Sequence, residues 1–182
     1  MIETERLLLR VPVLDDVDAV ADEIGDPEVM RYVGDGSVRS HDDAVEQIVS
    51  MRRAWAADGF GRFTVLRRED GFVLGRVGFL AWDPERWQTG TRAALGARAE
   101  VELGWTLRRT AWGHGYATEA ALAARDWSVR EFGFTRLISL FYPENVRSMR
   151  VGTKIGEQFE REISFRPGLT LQLWSRNSLP LE

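Results

Sequence analysis

The apolar positions change period several times along the chain, and each change marks an element. Leu7, Leu8, Leu9 and Val11 make residues 7–11 an opening strand. Leu14, Val17, Ala21 and Ile24 then recur at helical spacing, and Gly25 ends that run. Asp26 before Pro27 reads as an N-cap followed by proline at the first helical position. Ser40 caps a further helix whose apolar stripe is Ala44, Ile48, Met51 and Trp55. Residues 63–67 and 72–82 read as strands joined by a hairpin at Asp70-Gly71. Residues 101–107 form a strand, 116–131 an alanine-rich helix, and 136–142, 157–165 and 169–174 three further strands. Strands and helices alternate without an internal repeat or an evident linker, so the expectation is a single α/β (α+β) domain over residues 1–182.

Two features interrupt the pattern. Residues 84–97 form a long connection rich in Arg, Gly and Ala, either an ordinary surface excursion or a flap over a substrate. Seven tryptophans stand at 55, 82, 87, 105, 112, 127 and 174, most of them expected in or near the core. Trp82 and Trp87 flank the long connection and are candidates to line a substrate pocket.

The strand at 101–107, the turn Trp112-Gly113-His114-Gly115 and the helix from Tyr116 together make an anion cradle. The glycines suit a sharp turn with close backbone approach, and a helix N-terminus offers free N–H groups and a positive dipole end. Tyr116 after Gly115 excludes the Gly-Lys-Ser/Thr ending of a P-loop, and Thr118 stands where a dinucleotide fingerprint needs its third glycine.

The run Glu102-Leu103-Gly104-Trp105 leading into Trp112-Gly113-His114-Gly115-Tyr116-Ala117-Thr118-Glu119-Ala120 resembles the pyrophosphate-binding motif of GNAT-superfamily N-acetyltransferases, especially the RimJ/RimL-like type that acetylates ribosomal-protein N-termini. Asn145-Val146-Arg147-Ser148, followed by Lys154-Ile155-Gly156, is similar to the superfamily's second motif. Thr4 to Arg10 and Asp26 to Tyr32 resemble its opening strand and early helix. The resemblance implies a mostly antiparallel mixed sheet, splayed at its centre, with helices on both faces. It implies acetyl-CoA as cosubstrate, no metal, and direct attack by a primary amine, whether a protein N-terminus or a small molecule. Backbone N–H groups of Trp112, Gly113, His114, Gly115, Tyr116 and Ala117 take the pyrophosphate in that picture. Thr106 and Leu107 hold the pantetheine arm and the acetyl carbonyl, Asn145 bonds the arm, and Ser148 lies near the thioester sulfur. Arg150, with Arg147, is a candidate for the 3′-phosphate, although both also suit a solvated helix face.

The proton chemistry is less marked. Glu102, on the strand entering the site, is the candidate base, or else an ordinary strand carboxylate. Where the family often carries a glutamate and a tyrosine around its Asn motif, this chain has Leu140 and Gly152. Ser148 therefore remains as a proton donor to the thiolate, unless its hydroxyl bonds its own helix. His114 is read as an exposed loop residue. Glu119 is read as structural, favoured by the helix dipole in the first turn. A Cβ at Gly113 or Gly115 is expected to crowd the cradle.

Composition excludes several alternatives. There is no cysteine, hence neither a disulfide nor a cysteinyl intermediate, and His41 and His114 are the two histidines. No apolar run reaches membrane-spanning length and residues 1–5 lack a signal-peptide pattern, so a cytoplasmic protein without membrane partner is expected. A net charge of −4 argues against nucleic acid as a partner and leans toward cationic or amine-bearing substrates. Monomer and homodimer both stay open. Two rival readings also remain: a non-catalytic acyl-CoA-binding protein on the same fold, and a nucleotide-binding domain of another fold.

Overall fold

The computed structural model describes residues 1–177, and the last five residues of the expected domain lie outside the described residues. The strands are β1 (Ile2–Glu3), β2 (Leu7–Arg10), β3 (Arg62–Arg67), β4 (Val73–Trp82), β5 (Thr89–Gly90), β6 (Glu100–Leu107), β7 (Arg136–Phe141), β8 (Gln158–Arg166) and β9 (Leu169–Asn177). The helices are α1 (Val17–Ile24), α2 (Pro27–Met30), α3 (His41–Asp58), α4 (Arg92–Leu95), α5 (Tyr116–Phe132) and α6 (Val146–Lys154). Among the described residues the strands form one sheet in the order β1-β2-β3-β4-β6-β7-β9-β8, with β5 paired to β4. Among the described residues every pairing is antiparallel except β6 with β7. No helix of the described residues is long and apolar enough to cross a membrane.

Local chemistry explains most of the boundaries. Asp26 accepts from Glu28 N at 2.9 Å and Pro27 opens α2. Ser40 and Asp43 form a reciprocal capping box at α3. At the β3–β4 turn, Gly71 is left-handed and Asp70 bonds both Arg67 and Phe72 N. The connection at 84–97, left open between excursion and flap, is folded and anchored. Within it β5 pairs with β4, Arg92 N donates to Asp58, and Trp87 is buried with Phe165 and Ile138.

The main core lies between one sheet face and α5. Phe63, Phe79 and Leu103 are fully covered there, and Trp127 makes ring contacts with Trp55, Phe63, Phe79 and Phe132. The other face is charged as well as apolar. Arg76 of β4 is buried and pairs with Glu23 of α1, with Gln47 of α3 beside it. Removing one partner of such a pair costs about 3–5 kcal/mol, because the other charge is then stranded. Arg10 and Asp16 form a second pair, and Thr64 donates to the same carboxylate. Helices therefore cover both faces, as expected.

The parallel pairing of β6 with β7 is short: among the described residues only Glu102 and Ile138 stand in register. One residue further, the junction is made by a side chain, since Ser139 Oγ lies 2.7 Å from Leu103 O. The same oxygen lies 2.8 Å from Glu157 Oε1. A hydroxyl has one proton and a carbonyl can only accept, so Ser139 donates to Leu103. The contact with Glu157 must then use a proton held by Glu157, which is accordingly a neutral acid. Its other oxygen, Oε2, is buried without a partner, tolerable for a carbonyl oxygen and costly for a carboxylate. Burial and the nearby Glu102 push this carboxyl up to about 8, against the charges of Arg125 and Arg176.

An acid with a raised folded pKa binds more protons folded than unfolded, so its presence lowers stability as pH rises from about 4.5 to about 8. Glu157→Gln keeps the shape and a donor to Ser139 but cannot ionise. Thermal unfolding at a series of pH values should show the variant's Tm advantage growing from pH 5 to 8 and levelling beyond. A wild-type protein that gains stability over the variant across that window contradicts the neutral acid.

Candidate active site

Beyond the Ser139 junction, β6 and β7 part, and a cavity of about 560 Å³ opens along the cleft. Arg108 N donates to Leu74 O of β4, whereas Leu103 O faces Ser139 of β7. Peptide groups alternate sides along a strand, so those of Leu103, Trp105 and Leu107 face the gap and those of Gly104 and Thr106 face β4. This corrects one expectation. Thr106 lines the cavity, but its carbonyl turns toward Gly75 of β4, and Trp105 supplies the peptide group expected of it.

Leu107 O accepts from Trp112 Nε1 at 2.8 Å, which ties the glycine turn to the strand end. Leu107 N–H stays directed into the gap. Gly113 and Gly115 both have φ +82, and Gly115 is the N-cap of α5. A Cβ on Gly113 would meet nothing within 4 Å, and one on Gly115 would meet only Arg6 Nη2 at 3.5 Å. The glycines are thus required by backbone conformation rather than by crowding within the protein. With no side chain on the N-cap, the first-turn N–H groups of α5 are left for a ligand.

The cradle is braced from outside. Glu119 accepts from Thr4 Oγ1 at 2.6 Å and from Arg6 N at 3.0 Å, and forms an ion pair with Arg6. Burial raises the Glu119 carboxyl, but these bonds outweigh it and the net shift is downward. Arg6 also donates to His114 O and stacks on Tyr116. The His114 side chain is exposed, stacks on Tyr116 and does not line the cavity. Trp112, Gly113, Gly115, Tyr116 and Ala117 do line it.

On the far wall, α6 brings Asn145, Arg147, Ser148, Arg150 and Lys154 to the cavity. Asn145 is the N-cap of α6, its Oδ1 accepting from Ser148 N at 3.2 Å, so its amide N–H groups remain for a ligand. Among the described residues the Ser148 hydroxyl has no hydrogen-bond partner, which leaves it unattached to its own helix. The Arg147 guanidinium lies 3.7 Å above the Trp112 ring, bridging the two walls.

Glu102 lies on the opposite sheet face from α5 and lines the cavity. Its Oε2 accepts from Trp82 Nε1 at 2.6 Å. Burial raises its pKa, while Arg62 and the Trp82 bond pull in the other direction. Trp82 therefore both lines the cavity and orients the carboxylate. Trp87, expected beside it, is a correction: it packs into the core under Trp82 and Phe165 and does not line the cavity. Its burial comes from the folded loop, which the sequence pattern left irregular.

Sequence reasoning missed part of the wall. Tyr142 Oη donates to Gly34 O at 2.7 Å, and its ring meets Tyr32, so the segment after α2 closes one end. Arg62, Ser139, Phe165 and Arg166 also line the cavity. None carries a local signal; Ser139 and Tyr142 lie between two motifs that were read.

Comparison with known proteins agrees with this geometry. Residues 6–158 match the family model described as an acetyltransferase (GNAT) domain. YnaD of Bacillus subtilis (strain 168), an uncharacterised N-acetyltransferase, is 30% identical over 159 residues, which cover 87% of this chain and 83% of YnaD. A GNAT-family acetyltransferase from Bacillus anthracis shares the fold with a TM-score of 0.78 and 25% identity, covering 97% of both chains. RimL, a ribosomal L7/L12 alpha-N-protein acetyltransferase solved with coenzyme A, has a TM-score of 0.76 at 14% identity, covering 96% of each chain. The family match takes in the parted strands, the glycine turn and the helix that build the cavity, and the chain belongs to the GNAT family of N-acetyltransferases.

Proposed function

We propose that the cavity binds acetyl-CoA and passes its acetyl group directly to a primary amine held against Glu102. The observation that carries this reading is the gap between β6 and β7, where the Trp105 and Leu107 peptide groups have no strand partner and run toward the glycine-capped start of α5. A pyrophosphate suits the N–H groups of that helix start, and an amide-bearing arm suits the unpaired strand edge. RimL, the coenzyme A complex with the same fold, supports the cosubstrate. Asn145 bonds the arm, and Arg147 and Arg150 meet phosphate from the α6 side.

In the transfer, the amine nitrogen forms a bond to the acetyl carbon and the carbon–sulfur bond breaks. Leu107 N–H stabilises the developing oxyanion. The amine loses a proton to Glu102, directly or through water, and the departing thiolate takes one through the Ser148 hydroxyl, which is reprotonated from solvent as it gives its own. An α-amine with pKa near 7.8 is about 10–15% neutral at pH 7, and a lysine amine only about 0.04%, so the base matters most for the latter. Burial raises the pKa of Glu102, which makes it a stronger base than an exposed glutamate. The site favours catalysis over the rival of a mere acyl-CoA binder, because a carboxylate oriented by Trp82 faces the same cavity as the cradle.

Gly115→Val forces a β-branched residue into φ +82 at the helix start. Isothermal titration should show acetyl-CoA binding weakened at least about tenfold, or roughly 1.4 kcal/mol, in a variant that keeps its circular dichroism. Unchanged affinity removes the glycine turn from the site.

Asn145 has two duties that two variants separate. Asn145→Ala should lose about 1 kcal/mol of stability with the cap and also weaken acetyl-CoA binding. Asn145→Ser restores a capping oxygen without the amide donor, so its Tm should recover while its affinity does not. Recovery of both would make Asn145 a cap and nothing more.

Glu102→Gln should lower kcat by on the order of 10²-fold near neutral pH, with the deficit shrinking as pH approaches the amine's own pKa. Ser148→Ala should lower kcat by an amount that persists at high pH, because protonating the thiolate becomes no easier there. A wild-type pH–rate profile for Glu102→Gln would leave solvent as the base.

A further inference from the structure

The half of the cavity away from α5 holds a charge that the protein leaves unmatched. Arg62 opens β3 opposite Gly78 of β4, and Gly78 stands opposite Gly104 of β6. Two neighbouring glycines leave this part of the sheet face bare, and Arg62 and Glu102 both border the cavity there. A Cβ on Gly104 would already lie 3.4 Å from Glu102 Oε1, so that carboxylate rests over the bare patch.

Arg62 and Glu102 influence each other electrostatically, yet they form no ion pair. Among the described residues none accepts a hydrogen bond from the Arg62 guanidinium. The other arginines of this face are satisfied differently: Arg76 has Glu23 and Gln47, and Arg10 has Asp16. Burial, with Arg76 nearby, lowers the Arg62 pKa to about 10, so it is still a cation at neutral pH. A guanidinium presents donors in a planar fork that matches a carboxylate.

We propose that the acetyl acceptor is a small amino carboxylate, a free α-amino acid with an apolar side chain, whose carboxylate is bound by Arg62 while its amine faces Glu102. This rests on the acetyl-transfer reading and names the substrate class of the same site. Opposite charges side by side on the protein complement a zwitterion. Leu80, Trp82, Phe165 and Leu171 supply apolar wall for the side chain. A polyamine would set further positive charge against Arg62. A peptide N-terminus would present a neutral amide where the carboxylate belongs. The overall charge of −4, which taken alone leans toward cationic substrates, is thus offset locally by Arg62.

The test measures coenzyme A release with leucine, methionine, phenylalanine and tryptophan and with their C-terminal amides, each rate expressed per neutral amine. Propylamine, spermidine and a short peptide complete the panel. Wild-type protein should favour at least one amino acid over its amide by about tenfold or more in kcat/KM. Arg62→Met should lower kcat/KM for that acid at least about thirtyfold and for its amide by less than about threefold. Arg62→Lys, which keeps the charge without the fork, should fall between, and it preserves the test should Arg62→Met misfold. An amide equal to or better than its acid, equal losses on both in Arg62→Met, or turnover confined to propylamine, spermidine or peptide would overturn the assignment while leaving acetyl transfer standing. No coenzyme A release with any amine, from protein that binds acetyl-CoA by titration, would instead overturn the acetyl-transfer reading and this inference with it.

Discussion

The structure depends on two parallel strands that pair at one point and then part. A β-sheet gains stability by satisfying peptide groups across neighbouring strands, and leaving them open is costly unless water or a ligand replaces the partner. Here β6 and β7 are in register only at Glu102 and Ile138, and the next rung is the Ser139 hydroxyl rather than a backbone bond. The fork opens a cleft through the centre of the domain. Its walls are strand edges and helix starts, which offer N–H groups at positions set by backbone geometry. That arrangement suits a long ligand made of amides and phosphates.

Side chains hold the fork from three directions. The neutral Glu157 supports Ser139 from below, Trp112 bonds Leu107 O at the open end, and Arg147 stacks on Trp112 across the cleft. Glu119 binds the β1–β2 turn to the first turn of α5, so the cradle is braced to the sheet's outer strands. Ordinary hydrogen bonds contribute about 0.5–1.5 kcal/mol each, yet these sit where a small movement would change the width of the gap.

Charge is distributed with the same economy. The buried Arg76–Glu23 and Arg10–Asp16 pairs fasten the helices over one face and close on themselves. Arg62 and Glu102 do not close on each other, and both meet the cavity. The contrast on one sheet face separates charges that pair within the fold from charges that border the cavity.

The glycine turn, the caps at Asp26 and Ser40, the strand carrying Glu102 and the segment from Asn145 to Ser148 were all legible in the sequence. Each is encoded by residues near one another in the chain: a left-handed φ demands glycine, and an N-cap demands a short polar side chain just before its helix. What no local pattern contains is the meeting of distant segments. Arg62 looks like any strand arginine until two glycines on the next strands clear the space around it, and Trp87 looks like a pocket residue until its loop folds inward. The neutral state of Glu157 follows from a one-proton hydroxyl set between two oxygens on two other segments. The chain's own order dictates the cradle because its geometry is short-range, whereas the side of the cavity that holds Arg62 and Glu102 depends on burial and charge balance that exist only once β3, β4, β6 and β7 lie side by side.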